Sequence, residues 1–87
     1  MEEFEAKESS NIHWARYRNG VLEIDFRDAK TGLKRSTYQY DGTLIKDGSN
    51  PTGRFPVDEW QGLCGAARKG RYFAEKIRNV YKPVKIS

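Results

Sequence analysis

The chain has 87 residues, 37% of them hydrophobic and 32% charged, with a net charge of +4. That length holds one small domain, and no apolar stretch approaches the ~20 residues of a membrane-spanning helix. The single cysteine, Cys64, excludes an intramolecular disulfide and a cysteine-rich zinc site.

Met1–Glu8 sets four glutamates against Lys7 and has no apolar periodicity, so it reads as an acidic mobile tail, dispensable for folding, with Phe4 its one residue able to dock. An acidic opening is also unlike a basic-then-apolar secretory signal, and the expectation is a cytoplasmic protein without membrane contact.

From Ile12 the pattern has period 2. Val21–Arg27 places Leu22, Ile24 and Phe26 on one face and Glu23, Asp25 and Arg27 on the other, which is a half-buried strand. Ile12–Arg18 supplies the strand before it, joined by Asn19-Gly20, a dipeptide suited to a tight type I′ hairpin. Leu33–Tyr40 reads as a third strand, with Tyr38 and Tyr40 on one face. A short fourth strand is expected at Thr43–Lys46, followed by an exposed loop over Asp47–Arg54.

The period then becomes helical. Pro56 suits a first helical position, Asp58 and Glu59 suit the positive end of a helix dipole, and Val57, Trp60, Leu63, Cys64 and Ala67 fall on one stripe. Gly62 and Gly65 inside this helix imply a close approach to a neighbour. A second helix is expected from about Gly70 to Tyr81, stopped by Pro83, with Phe73, Ile77, Val80 and Tyr81 facing the core. Its opposite side carries Arg71, Arg78 and Lys82, with Glu75 spaced to pair with Arg71 or Arg78. Over the last 25 residues seven basic side chains meet Glu75 alone, an asymmetry that points to an anionic partner.

The architecture that follows is α+β: a three- or four-stranded antiparallel meander, then two C-terminal helices packed on one face. Ser9-Ser10-Asn11-Ile12, Leu22-Glu23-Ile24-Asp25-Phe26, Tyr38-Gln39-Tyr40, Phe55-Pro56, Lys69-Gly70-Arg71-Tyr72-Phe73, and Ile77-Arg78 with Tyr81 occur in that order. In this arrangement the chain resembles the KTSC domain, a short module found alone in bacterial and phage proteins and appended to some lysyl-tRNA synthetases. The resemblance implies a single domain over residues 9–87, with an insertion at about 41–54 and the acidic segment as an extra, and it points to RNA.

Lys69-Gly70-Arg71-Tyr72 is the foremost candidate site. A helix start near Gly70, two cations and a flanking aromatic ring suit a phosphate with a base beside it; the same residues could equally be a turn, a packed ring and solvated charges. Arg68, Arg78 and Lys82 extend the cationic side, and Tyr40, nearer the loop, is the tyrosine expected to be exposed for stacking. His13 is the only histidine and has no partner for a metal or catalytic pair. Cys64 is expected to be a buried structural thiol, and no cofactor is implied.

Two functions are thus expected. The first is non-catalytic binding of RNA or single-stranded DNA by the basic second helix. The second is a protein-binding adaptor, or a phage-type inhibitor of a host protein. A metal-dependent nuclease is a remote third reading, on the spelling Asp28-Ala29-Lys30 behind Glu23 and Asp25.

Overall fold

The computed structural model describes residues 2–7, 9, 11–28 and 30–86; Met1, Glu8, Ser10, Ala29 and Ser87 lie outside the described residues. Five strands form one antiparallel sheet in chain order: β1 (Glu2–Glu5), β2 (Ile12–Arg18), β3 (Val21–Arg27), β4 (Lys34–Tyr40) and β5 (Val84–Lys85). Between β4 and β5 come helix α1 (Val57–Gly65), helix α2 (Lys69–Tyr72) and a π-helical turn over Phe73–Ile77 that continues α2. No helix among the described residues is long and apolar enough to cross a membrane.

The central hairpin follows from its turn: Asn19 and Gly20 have φ of 54° and 78°, the left-handed pair that a type I′ connection requires. Register then sorts the side chains. Tyr17, Leu22 and Tyr40 lie abreast, as do Ala15, Ile24 and Tyr38, and this face receives the helices. On the other face Arg16 bonds both Glu23 and Asp25, and the Thr37 hydroxyl donates to Asp25. Burial pushes the Asp25 carboxyl up, but the bonds from Arg16 and Thr37 and the Arg16 charge outweigh it. The carboxyl is held below the ordinary carboxylate range.

The acidic N-terminal segment is not a mobile tail. Glu2–Glu5 pairs antiparallel with β2, from Glu2 opposite Tyr17 to Glu5 opposite Trp14. Phe4 enters the core side and stacks on Trp60 at 5.5 Å, while Ala6 is fully buried. One aromatic ring at a core-facing position anchors the strand, and the flanking glutamates keep its outer edge solvated and unattractive to further pairing. A sheet of five strands therefore replaces the expected three or four. The strand expected at Thr43–Lys46 reduces to a single bridge between Leu44 and Tyr81.

Two aromatic clusters make the core. In one, Trp60 lies between Phe4 and Tyr17, whose ring centroids are 5.5 and 5.7 Å from it. The Tyr17 hydroxyl donates to the Phe55 carbonyl, tying β2 to the chain entering α1. In the other, Phe73 meets the rings of Phe26 and Tyr40 at 5.4 and 5.8 Å.

The stripe on α1 is narrower than its periodicity suggests. Trp60 and Leu63 are buried, but Val57, Cys64 and Ala67 are exposed. Val57 and Cys64 lie on one flank of Trp60; Leu63, Glu59 and Gly62 lie on the other. Tyr72 packs on that second flank: a Cβ at Gly62 would stand 2.1 Å from its hydroxyl oxygen. The missing side chain lets the helices close there, which rolls the Cys64 flank outward, and Ala67 follows the end of the helix. The second helix is interrupted too. The Arg78 amide donates to the Phe73 carbonyl across an i→i+5 turn, so residues after it lag a regular helix. Phe73, Ile77 and Tyr81 stay buried, and Val80 is exposed.

Candidate functional site

Two clefts adjoin along the helical layer, and Asn11 lines both. The first, about 500 Å³, is bounded by Ser9, Asn11 and the stretch Ala67–Arg71. Here two sequence pieces some sixty positions apart meet. The Ser9 hydroxyl donates to Asn11 Oδ1 at 2.8 Å and accepts from the Ile12 amide at 3.0 Å. The backbone at Gly70 settles directly on this pair, since a Cβ there would stand 2.7 Å from Asn11 Oδ1 and 2.8 Å from Ser9 Oγ.

Three cations surround that contact. Arg68 is exposed. The Lys69 ammonium donates to the Ala66 carbonyl at 2.9 Å and lies 5.3 Å from the Phe4 ring centroid, so β1 holds it in place. Arg71 is exposed and pairs with Glu75 at 3.0 Å, as the spacing anticipates. An exposed pair of this kind is worth about 0.3–0.5 kcal/mol, which a phosphate can displace.

The second cleft, about 620 Å³, opens between the β3–β4 face and the π-helical turn. Buried Tyr40 and Phe73 form its floor, and half-buried Phe26 and Tyr38 form its walls. Arg27, Arg35, Arg78 and Lys85 stand around it. Arg27 is clamped by the carbonyls of Gly32, Ala6 and Ile12, and its Nε is buried without a hydrogen-bond partner. Among the described residues none of these four cations has a carboxylate within 4.0 Å, and no carboxylate lines either cleft. On the opposite face, by contrast, the charge of Arg16 is absorbed by two acids, Glu23 and Asp25.

The eight candidates from the sequence therefore divide. Arg68, Lys69, Gly70 and Arg71 come together in the first cleft, and Arg78 joins the second. The π-helical turn separates Arg71 from Arg78, which a regular helix would set two turns apart on one side. Lys82 is exposed and lines neither cleft; its amide donates to the Thr43 carbonyl.

Two tyrosines change role. Tyr40, expected to be the exposed one, is 3% exposed beneath Phe73, and burial pushes its hydroxyl up to about 12 against the opposing charge of Arg78. Tyr38, beyond the reach of that cover, is the ring left half open. Tyr72, expected to flank a phosphate site, lines neither cleft. Its hydroxyl donates to Glu59 Oε1 at 2.9 Å, and burial with that carboxylate pushes it up to about 12. It is a lock between the two helices.

Arg27, Arg35, Lys85, Phe26, Tyr38, Ser9 and Asn11 are the site residues that sequence reasoning did not assign. Ser9 and Asn11 did carry a signal, since they belong to the first piece of the family resemblance. Cys64 is exposed rather than buried, with its thiol pushed up by partial burial and then by Glu2, against Lys69. The acids considered for a metal are committed elsewhere: Arg16 spans Glu23 and Asp25, and Asp28 Oδ1 accepts from the Lys30 and Thr31 amides.

No protein-family model matches the chain, and no curated protein matches it. Among solved structures it is similar to the crystal structure of a KTSC domain protein from Yersinia pestis. The two share 28% sequence identity and a TM-score of 0.67 over 99% of this chain and 97% of that one. The chain has the fold of the KTSC domain.

Proposed function

We propose that this KTSC-like chain is a small non-catalytic nucleic-acid-binding domain that takes RNA or single-stranded DNA along the two adjoining clefts. The observation that carries the reading is the run of cations from Arg68 to Lys85 with no carboxylate in either lining. Anionic polymers are attracted by such a run through release of their counterions, and aromatic walls beside it let unpaired bases stack. A duplex has its base faces already occupied, so a cleft with half-open rings favours single strands.

Fluorescence anisotropy of a labelled single-stranded oligonucleotide across a salt series tests this. Four phosphate contacts give a slope of log K against log salt of about −3. Replacing Arg71 and Arg78 together with Glu should abolish binding and leave the fold intact, because both side chains are exposed. Absence of binding at low salt would remove the reading. A protein-binding adaptor is the second reading, favoured by the exposed side chains of Val84 and Ile86 at the β5 edge. For that role a partner protein such as a host factor would bind with a shallow salt dependence.

A further inference from the structure

We propose that the cleft between Tyr38 and Phe73 is a subsite for one unstacked nucleoside 5′-phosphate, with the base against Tyr38 and the phosphate between Arg78 and Lys85. The inference rests on the nucleic-acid reading and narrows it to the unit that is recognised. Three features distinguish this cleft from a merely basic surface.

The first is concavity with aromatic walls. At about 620 Å³ the cleft falls within the ~300–1,000 Å³ of small-molecule sites, and Phe26 and Tyr38 leave ring surface accessible within it. The rings brace each other: Phe26 meets Tyr38 at 77° and Phe73 at 65°, so Tyr38 is held by its neighbours rather than free to collapse over the opening. The second is charge held in place before a ligand arrives. Three backbone carbonyls fix the Arg27 guanidinium without neutralising it, which gives the wall a permanent positive centre. Lys85 sits opposite Tyr38 across the β4–β5 pair, and Arg78 follows the π-helical turn on the other side.

The third is hydrogen-bonding capacity. Among the described residues neither the Tyr38 nor the Tyr40 hydroxyl bonds to a protein group, so both can serve a sugar or base edge. A ring, a polar edge and two adjustable cations match a base, a sugar and a phosphate in sequence. An acidic peptide would use the cations and leave the rings without a counterpart. Continuity with the first cleft through Asn11 gives the neighbouring phosphates of a chain a place to go.

The unit could come from a polynucleotide or from a free nucleotide, and the test has an arm for each. The full chain, labelled with nitrogen-15, is titrated at low salt with 5′-AMP, with adenosine and with a phosphotyrosine peptide. A fluorescent adenosine decamer is titrated in parallel by anisotropy. The expected result is that 5′-AMP moves resonances of Tyr38, Phe26, Arg78 and Lys85, with adenosine weaker. Tyr38→Leu should weaken decamer binding roughly 5- to 150-fold, the range for loss of one stacked base. Tyr38→Phe, which keeps the ring and its packing, should stay close to the parent. Arg78→Gln should lower the salt slope by about 0.7.

Shifts from 5′-AMP in this cleft without any decamer binding would keep the subsite, assign it to a free nucleotide and overturn the polynucleotide reading. Decamer binding with no 5′-AMP shifts here, and with Tyr38→Leu unchanged, would overturn the subsite and leave that reading standing. Shifts from the phosphotyrosine peptide but not from 5′-AMP, with no decamer binding, would overturn both.

Discussion

Replacing Phe4 with Ala removes a ring from a segment whose composition is that of a tail, and the structure makes it costly. Complete burial of a Phe side chain is worth about 3–5 kcal/mol against Ala. Phe4 is half-buried, so roughly half of that applies. Its stack on Trp60 adds ~0.5–1.5 kcal/mol and the Lys69 ammonium over its ring ~0.5–1 kcal/mol. These overlap with burial, and a loss of about 2–3 kcal/mol is expected. For a chain of 87 residues that is a large share of a total stability of ~4–13 kcal/mol. Each kcal/mol moves the melting temperature by about 4–8 °C in a domain this size, so Tm should fall by roughly 10–20 °C. Urea unfolding followed by tryptophan fluorescence gives the free energy directly. Glu3→Gln in the same strand, with an exposed side chain, should stay within about 0.5 kcal/mol. A Phe4→Ala protein within that limit of the parent would show that β1 adds nothing to the core and would refute the docking of this strand.

Gly62→Ala should destabilise the fold by about 1–3 kcal/mol, because its Cβ would strike the Tyr72 hydroxyl; Gly65→Ala, with open space around it, should be neutral or gain up to about 1 kcal/mol. Equal effects in chemical denaturation would contradict the close approach of the two helices. Cys64 should react with a thiol reagent without unfolding, faster as pH rises toward its elevated thiol pKa, and labelling that appears only in denaturant would refute its exposure. Asp25 has a folded pKa below its unfolded value near 4, so its contribution is complete above that pH and lost as pH falls through the lower folded value. Asp25→Asn should cost about 1.5–3 kcal/mol at pH 7 and flatten the acid limb of the stability profile. Parallel limbs for parent and variant would refute this.

What was legible in the sequence was what neighbouring residues decide among themselves. The alternation of Val21–Arg27 states which side chains share a face, and Asn19-Gly20 can accept the left-handed angles of a tight hairpin whatever surrounds it. The Arg71–Glu75 pair needs only one helical turn. The order of strands and helices and the basic C-terminal segment belong to the same class of information.

Exposure and convergence were decided elsewhere, because they depend on how layers meet. Whether Glu2–Glu5 pairs depends on an open edge of β2 and a Trp60 ring waiting above it, and neither is written in a run of glutamates. Tyr38 and Tyr40 are equivalent by period; Tyr40 is buried only because Phe73 ends the helical cover at that point of β4. Cys64 and Val57 turned outward because Gly62 admits Tyr72 on the opposite flank and rolls α1 about its axis. Arg71 and Arg78 were parted by one i→i+5 turn, a shift of a single residue in the hydrogen-bond ladder that helical periodicity does not register. Arg27, a solvent-side member of its strand by alternation, became part of a site because backbone carbonyls of Ala6, Ile12 and Gly32 converge on it. Period fixes direction relative to a strand or helix axis; only packing fixes what lies in that direction.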